Sequence, residues 1–375
     1  MINIYQPSLG EEELSAISDV FKSNWIGKGK KESEFVLNFA KKLNVDPNHF
    51  LSTSSCTEGL FQIFSLLNFP NDSEVIIPSI HFIGAANAIK HHGLNPVFCD
   101  VDKHTLNCDI NYIKEKVTPK TKAIVVLHYG GSPCDIENIN KFCKDNNIIL
   151  IEDNANSPFS KYNSTPTGTI GDFGVWSFDA MKILVTGDGG MIYCRNKEFC
   201  EKLKTNSYLG LLSESGLKNK IDKKWWEFDI SSPGRRSIVN DIQSAIGIEQ
   251  LKKVNKFISI RKKIHGKYDK AFSSLDWIKT PTLNNDCLSS YYMYHIQLPS
   301  PEERDSLSRH LRENGIYITF RYYPLHLVGY YKSNVNLPNT EYAANHTLCI
   351  PLHQGLTESD VGKIIKSIKE FKNEH

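Results

Sequence analysis

A lysine enclosed by apolar residues is the first feature of this sequence that points to chemistry. Lys182 stands among Met181, Ile183 and Leu184, and a glycine-rich turn follows it. Loss of hydration favours the neutral amine, which can attack a carbonyl as a nucleophile. Ser177 ends a predicted apolar strand just before this stretch, so its hydroxyl could serve the same site. Taken alone, however, a lysine is more commonly found at the surface with its ammonium in water.

A predicted helix start at residues 53–60 suits an anion. Ser55 and Glu58 have the spacing of a capping box, and apolar residues recur on one face of the helix that follows. Free amides and hydroxyls at such a start form a site for an anion, a phosphate group above all. A helix cap without any ligand explains the same residues equally well.

An acidic residue follows one of the most apolar runs of the chain. Residues 148–151 predict a strand buried on both faces, and Glu152 and Asp153 end it. In open α/β sheets, ligands bind beyond the carboxyl ends of the strands, which is where Asp153 would lie. The alternative is a solvated acid in a loop, the commoner environment for aspartate.

These three features are the parts that pyridoxal 5'-phosphate requires. Its phosphate needs the amides of a helix start, and its pyridine nitrogen needs a carboxylate that keeps it protonated. Its aldehyde needs a lysine, here Lys182, for a Schiff base. Phe82, after the predicted strand 74–78, could stack on the face of the ring.

Composition excludes several other classes of function. The 375-residue chain has 40% hydrophobic and 23% charged residues and a formal net charge of +2, as in ordinary soluble proteins. This charge favours neither nucleic acid nor an anionic membrane as a partner. No apolar run reaches the ~18 residues of a membrane span, and no secretory signal is visible. The scattered cysteines and histidines predict no metal site, and we expect a reduced, cytoplasmic protein.

The order of predicted elements indicates two domains. Strands and helices alternate to about residue 194, and residues 1–250 are predicted to form a large α/β domain. A helix over about 241–272 bridges to a smaller α+β domain, residues 251–375, with strands near 291–298 and 316–322. Residues 205–236 are irregular and predict a functional loop region. Its Trp225-Trp226 pair fits packing anchors at least as well as ligand contacts.

The chain resembles the DegT/DnrJ/StrS sugar aminotransferases along nearly its whole length. The resemblance implies a fold-type I pyridoxal-phosphate enzyme whose large domain has a mostly parallel seven-stranded sheet. Its motifs are Gly10-Glu-Glu-Glu, Ser54-Ser-Cys-Thr, Pro78-Ser-Ile-His-Phe82, Asp102-Lys-His-Thr-Leu-Asn107, His128-Tyr-Gly130, Glu152-Asp-Asn-Ala-Asn156, Ser177-Phe-Asp-Ala-Met-Lys182, Thr186-Gly-Asp-Gly-Gly190, Asp241-Ile-Gln, Tyr322-Tyr-Pro324 and Ile350-Pro-Leu-His353.

The resemblance also implies a role for each matching residue. Lys182 would form the internal aldimine and then carry a proton between the two carbons of the transamination. Asp153 would bind the pyridinium nitrogen, and Phe82 would cover the ring. The phosphate would be held by Ser177, Cys56 and Thr57.

Two positions depart from the family pattern. Asn156 stands where the family has a glutamine that reaches the ring hydroxyl, and it is one methylene shorter. Arg236 stands where an asparagine often reaches the cofactor phosphate of the neighbouring subunit. An arginine could make that contact with a forked, charged donor, or it could bind a substrate phosphate instead. Either role implies a homodimer with shared active sites.

The activity implied is transfer of an amino group from L-glutamate to a keto sugar on a nucleotide diphosphate, in amino-sugar or polysaccharide biosynthesis. The cofactor would alternate with its pyridoxamine form in a ping-pong cycle. Arg321 and Tyr322 are candidates for substrate contact. Three alternatives are the same chemistry on a small phosphorylated ketone, a sugar dehydratase and a non-catalytic regulator. Lys182 disfavours the dehydratases, which carry a histidine there.

Overall fold

The computed structural model describes residues 1–212, 228–283 and 287–374. In chain order its strands are β1 Phe50–Thr53, β2 Glu74–Pro78, β3 Asn95–Cys99, β4 Thr121–Leu127, β5 Ile149–Asp153, β6 Lys161–Tyr162, β7 Thr165–Pro166, β8 Phe173–Ser177, β9 Gly190–Cys194, β10 Cys287–Leu288, β11 Tyr294–Gln297 and β12 Thr347–Ile350. Its helices are α1 Glu11–Lys22, α2 Lys30–Leu43, α3 Cys56–Leu67, α4 Ile83–His91, α5 Ile110–Lys114, α6 Ile136–Asp145, α7 Lys197–Asn206, α8 Asp241–Phe272, α9 Pro301–Glu313, α10 Pro338–His346 and α11 Glu358–Glu374.

A mostly parallel sheet organises the larger part of the chain. Seven strands of the described residues form it in the order β1-β9-β8-β5-β4-β2-β3. Strand β9 runs antiparallel to both of its neighbours, whereas β8, β5, β4, β2 and β3 pair in parallel. Helices cover both faces, which is why β4 and β5 are continuous apolar runs with almost no exposed residue. The α/β fold and the seven-stranded sheet are confirmed.

The smaller part of the chain packs around a second apolar core. This core includes Tyr268 and Phe272 of α8, Leu307 and Leu311 of α9, and Ile364 of α11. Helix α8, Asp241–Phe272, has the bounds predicted for the bridging helix, and its N-terminal half contacts α1 and α2. The domain boundary at 250 stays a prediction.

One predicted strand of the smaller domain is wrong. Residues 316–322 form no strand; Thr319 makes only an isolated bridge to Cys349, and Ile316 another to Ile2. The partner of β11 is instead β12, in antiparallel pairing. The segment is apolar enough for a strand, but the chain turns away after Thr319 and carries Arg321 towards the large sheet.

Two features of the described residues concern membrane spans and metal sites. No helix among them is both long and apolar enough to cross a membrane. No group of three or more histidine, cysteine, aspartate or glutamate side chains in those residues is arranged to hold a metal ion.

Candidate active site

Lys182 lies in the loop that leaves β8, and its side chain is only 9% exposed. Its backbone amide donates to the carbonyl of Asp179 at 2.9 Å, which closes a turn. The glycines that follow permit a backbone that other residues resist: φ is +92° at Gly187 and +147° at Gly189. A Cβ at Gly189 would lie 2.6 Å from Thr186 Oγ1. The glycine-rich turn therefore shapes the loop that holds the lysine.

The Lys182 amine faces polar groups rather than its apolar neighbours in sequence. Ile183 and Leu184 are buried in the core, but Lys182 Nζ lies 5.0 Å from the centre of the Tyr292 ring. Burial lowers the pKa of Lys182, whereas Tyr292, Tyr322 and Asp153 raise it, and the net pKa is above its usual value. Burial favours the neutral amine, as predicted, but the neighbouring groups outweigh its effect on the pKa.

Asp153 ends β5 at the carboxyl edge of the sheet, as predicted. Its Oδ1 accepts a hydrogen bond from the Ala155 amide at 2.8 Å and a weaker one from the Cys56 thiol at 3.9 Å. Burial, with Asp153 second, holds the pKa of Cys56 well above its ordinary value, so the thiol keeps its proton and can donate. Its Oδ2 lies 3.5 Å from His81 Nε2. Asp153 is thus an acceptor with capacity to spare.

His81 is a site residue that sequence reasoning missed. Its ring is fully buried between two acceptors, the carbonyl of Phe82 at 3.1 Å from Nδ1 and Asp153 Oδ2 on the Nε2 side. A neutral imidazole can donate to only one of them. Burial lowers the pKa of His81, and Asp153 acts in the opposite direction. The only feature of the sequence that could have indicated His81 is its position directly before Phe82.

The start of α3 has the form expected of an anion site. Ser55 Oγ accepts from the amide of Glu58 at 3.0 Å, and the first amides of the helix have no intrahelical acceptor. Gly84 lets α4 approach closely, since a Cβ there would lie 2.6 Å from Thr57 Oγ1. Because the Cys56 thiol points at Asp153, a phosphate contact from Cys56 would come from its backbone amide.

Two further predicted cofactor ligands flank this helix start and the lysine loop. Ser177 is half-buried at the end of β8, and its Oγ accepts from the Asp179 amide at 3.4 Å. Phe82 is 48% exposed, with its ring 5.9 Å from that of Tyr322.

Asn156 and Tyr322 join the site from opposite parts of the chain. The hydroxyl of Tyr322 donates to Asn156 Oδ1 at 3.3 Å, and Asn156 is fully buried. Asn156 Nδ2 is left without a hydrogen-bond partner among the described residues. A buried amide with an unused donor is costly unless an acceptor binds there. A phenolate oxygen on a cofactor ring would satisfy it.

The two arginines at 235–236 contact different parts of the chain. Arg236 is exposed, with its guanidinium 5.3 Å from the centre of the Tyr208 ring. Arg235 is paired with Glu58 Oε2 at 2.8 Å. A role for Arg236 in a shared site stays a prediction. Trp225 and Trp226 lie outside the described residues.

The residues present fit pyridoxal phosphate. Lys182 and Asp153 supply the amine and the carboxylate, the start of α3 suits the phosphate, and the unpartnered Asn156 Nδ2 suits the ring oxygen. The fold and this set of groups define a fold-type I aminotransferase.

Known proteins with the same fold are similar along the full chain. A family model described as the DegT/DnrJ/EryC1/StrS aminotransferase family matches residues 7–369, and the chain belongs to this family. It is 42% identical to a dTDP-4-dehydro-2,3,6-trideoxy-D-glucose 4-aminotransferase of Saccharopolyspora spinosa, over 100% of this chain and 98% of that protein. It is 31% identical to GDP-perosamine synthase of Escherichia coli O157:H7, over 99% and 98%. The crystal structure of the aminotransferase TlmJ from Streptoalloteichus hindustanus has a TM-score of 0.95 at 44% identity, over 100% and 99%.

Proposed function

We propose that this protein transfers the amino group of L-glutamate to the keto group of a sugar linked to a nucleotide diphosphate. The observation that carries the proposal is the buried Lys182 amine, which lies 5.0 Å from the centre of the Tyr292 ring and interacts electrostatically with Tyr322 and Asp153. The names of two relatives, a dTDP-linked sugar 4-aminotransferase and a GDP-perosamine synthase, support the substrate class.

Pyridoxal phosphate, when bound, supplies an aldehyde that binds amino groups and a ring that accepts electrons. Asp153 keeps the pyridine nitrogen protonated, and the Ala155 amide orients its carboxylate. Thr57, Ser177 and the first amides of α3 hold the phosphate. Phe82 covers the ring, and Asn156 Nδ2 donates to the ring oxygen.

Lys182 moves the proton. Its Nζ, which lies 5.0 Å from the centre of the Tyr292 ring, would accept the proton that leaves one carbon and return it to the other. Lys182 would act as the neutral amine when it takes the proton and as the ammonium when it returns it. Lys182 is only 9% exposed, so little bulk water reaches the amine.

The complete site would be shared between two subunits. Arg236 is exposed in its own chain, where its guanidinium could reach the phosphate end of a neighbouring site. Apolar side chains exposed near the N-terminus, including Phe21, Trp25 and Ile26, provide surface for such a homodimer. A cytoplasmic location remains a prediction from composition.

The test is a pair of half-reactions followed by visible absorption. Purified protein loaded with pyridoxal phosphate should show a visible band that disappears with L-glutamate, with release of one 2-oxoglutarate per site. Nucleotide-linked keto sugars should then restore the band, and small phosphorylated ketones should not. A Lys182→Ala variant should bind the cofactor but should not react with L-glutamate. Lys31→Ala, at a partly exposed position on α2, is the control and should react like the native protein. A band unaffected by any amino acid would refute the proposal.

A further inference from the structure

The guanidinium of Arg321 is a half-buried cation whose contacts are all weak acceptors. Its Nη2 lies 3.3 Å from the sulfur of Met181, and its centre lies 5.0 Å from the middle of the Tyr5 ring. No carboxylate lies within ion-pair distance of it in the part of the chain that the structure describes. A thioether is a poor acceptor, so an incoming anion could replace it at little cost.

Arg321 is held in place by groups other than its own charge. The hydroxyl of Tyr129 donates to the Arg321 carbonyl, which fixes the backbone. The ring of Tyr5, which limits the orientation of the guanidinium, is itself stacked on Tyr292 at 5.1 Å between centres with a 6° angle between planes. The guanidinium is therefore prepared for a ligand before one binds, which reduces the entropy lost on binding.

The same stacked rings connect Arg321 to the reacting lysine. Tyr5 faces the guanidinium, and its partner Tyr292 faces the amine of Lys182. Met181, which Arg321 contacts, directly precedes Lys182 in the chain. Both cations also act on the hydroxyl of Tyr322, partly opposing the rise that burial causes in its pKa. Arg321 and Lys182 thus belong to one site.

We propose that Arg321 binds the α-carboxylate of the amino-acid donor and selects amino acids in the first half-reaction. This inference rests on the proposed function. In an amino acid, the carboxylate is attached to the carbon that carries the amino group, so it must bind close to Lys182. In the sugar substrate, by contrast, the sugar ring separates the diphosphate from the keto carbon. A prepared cation beside Met181 and Tyr322 fits the donor carboxylate.

The test separates anion binding from turnover. Arg321→Gln should weaken the binding of glutarate, an unreactive dicarboxylate, about tenfold or more, measured by calorimetry on the cofactor-loaded protein. The affinity of Arg321→Lys for glutarate should lie between those of Arg321→Gln and the native protein. A lysine keeps the positive charge but loses the two parallel donors of the guanidinium. Arg312→Gln on the exposed side of α9 removes the same charge as a control and should change nothing.

The two half-reactions, measured separately, then show which substrate carries the anion that Arg321 binds. Arg321→Gln should raise the KM for L-glutamate about tenfold or more and leave the half-reaction with the keto sugar within about threefold. Unchanged glutarate binding, or weaker binding of a nucleoside diphosphate instead, would overturn the inference while the proposed function stands. If the native protein accepts an amino group from no amino acid, the proposed function itself fails, and the inference fails with it.

Discussion

Two neighbouring carboxylates at the end of β5 have opposite surroundings. Glu152 and Asp153 are both buried, at 0% and 3% exposure, and each faces a histidine. Glu152 accepts from His128 at 3.0 Å and from three backbone amides, those of Gly168 at 2.8 Å, Ile170 at 2.7 Å and Gly171 at 2.6 Å. Asp153 has one strong donor, the Ala155 amide. Alternation along the strand directs the two side chains to opposite faces.

Burial therefore does not distinguish Asp153, the acid proposed to bind the cofactor, from Glu152, which binds only groups of the protein. What differs is how much of the hydrogen-bonding capacity of each carboxylate the protein itself uses. Glu152 is saturated and holds residues 168–171 against the sheet. Asp153 Oδ2 has no hydrogen-bond donor among the described residues, since His81 Nε2 lies 3.5 Å away without a proper hydrogen bond. A buried, unsaturated acid is the stronger indication of a ligand site.

The largest expected effect comes from removing the unsaturated acid. Asp153→Ala should lower kcat/KM by about ten-thousandfold, or about 5 kcal/mol of transition-state stabilisation, because the cofactor ring loses its protonated nitrogen. Its free energy of unfolding in urea should change by only about 1 kcal/mol. Steady-state kinetics and urea denaturation on the same preparation measure both. A collapse of stability with activity per folded molecule retained would reverse the roles assigned to the two acids.

Replacing Glu152, the saturated acid, should have the opposite effect: a large loss of stability and little loss of activity. Glu152→Gln should destabilise the fold by about 4 kcal/mol, since the amide group turns an acceptor into a donor facing other donors. The activity of the folded fraction should stay within about threefold of native. Glu137→Gln, an exposed position on α6, is the matched control. Equal stability of the Gln variant and the control would contradict the structural role.

A buried histidine whose hydrogen-bonding capacity the protein uses fully makes the stability of the fold depend on pH. His353 is saturated in its neutral form: Nε2 donates to the carbonyl of Asn3 at 3.1 Å, and Nδ1 accepts from Gly355 at 3.2 Å. Burial, with Arg261 second, lowers the pKa of His353 to about 4. In the unfolded chain its pKa is about 6.5, so the unfolded state binds more protons between these values.

Stability should therefore be complete above pH 6.5 and should fall by about 3 kcal/mol per such histidine as the pH drops towards 4. Urea denaturation across this range checks the slope. His353→Gln keeps a donor and an acceptor but removes the titrating ring, and it should flatten the slope only in part, because His295, whose pKa burial also lowers to about 4, still titrates. The same slope in the variant and the native protein would show that His353 does not contribute.

The smallest effect is expected at the edge of the site. Tyr322→Phe removes the 3.3 Å hydrogen bond to Asn156 and keeps the ring contact with Phe82. The loss of one neutral hydrogen bond should weaken cofactor binding by about fivefold, or about 1 kcal/mol. Tyr323→Phe, at a 63% exposed position, is the control. Equilibrium dialysis measures both, and equal affinities would remove Tyr322 from the cofactor site.

The sequence was sufficient to predict the candidate site residues that lie at the end of a strand, at the start of a helix or beside a glycine-rich turn. Asp153 ends an apolar strand, Thr57 lies in the first turn of an amphipathic helix, and Lys182 precedes a glycine-rich turn. Such positions are local, so a pattern of neighbouring residues is enough to predict them. The bounds of α8 were predicted for the same reason, since its capping residues and apolar face are contiguous.

Prediction failed where the signal depends on distant partners. Residues 316–322 have the composition of a strand, but only Thr319 bridges Cys349 of β12, whereas β11 pairs with β12 along its length. The direction of the Cys56 thiol towards Asp153, and the position of His81 between two acceptors, depend on how separate strands align. A single sequence carries no record of that alignment.

The sequence by itself determined the alternation of elements, the α/β class and the three groups that a cofactor requires, because each arises from local periodicity and residue type. Only the tertiary structure decided the environment of those groups. It placed Tyr5 and Tyr292 together across 287 positions and set Arg321 and Lys182 against them. The electrostatics of the lysine depend on these long-range contacts, since the distances between charges and dipoles, and not the order of residues, determine a pKa.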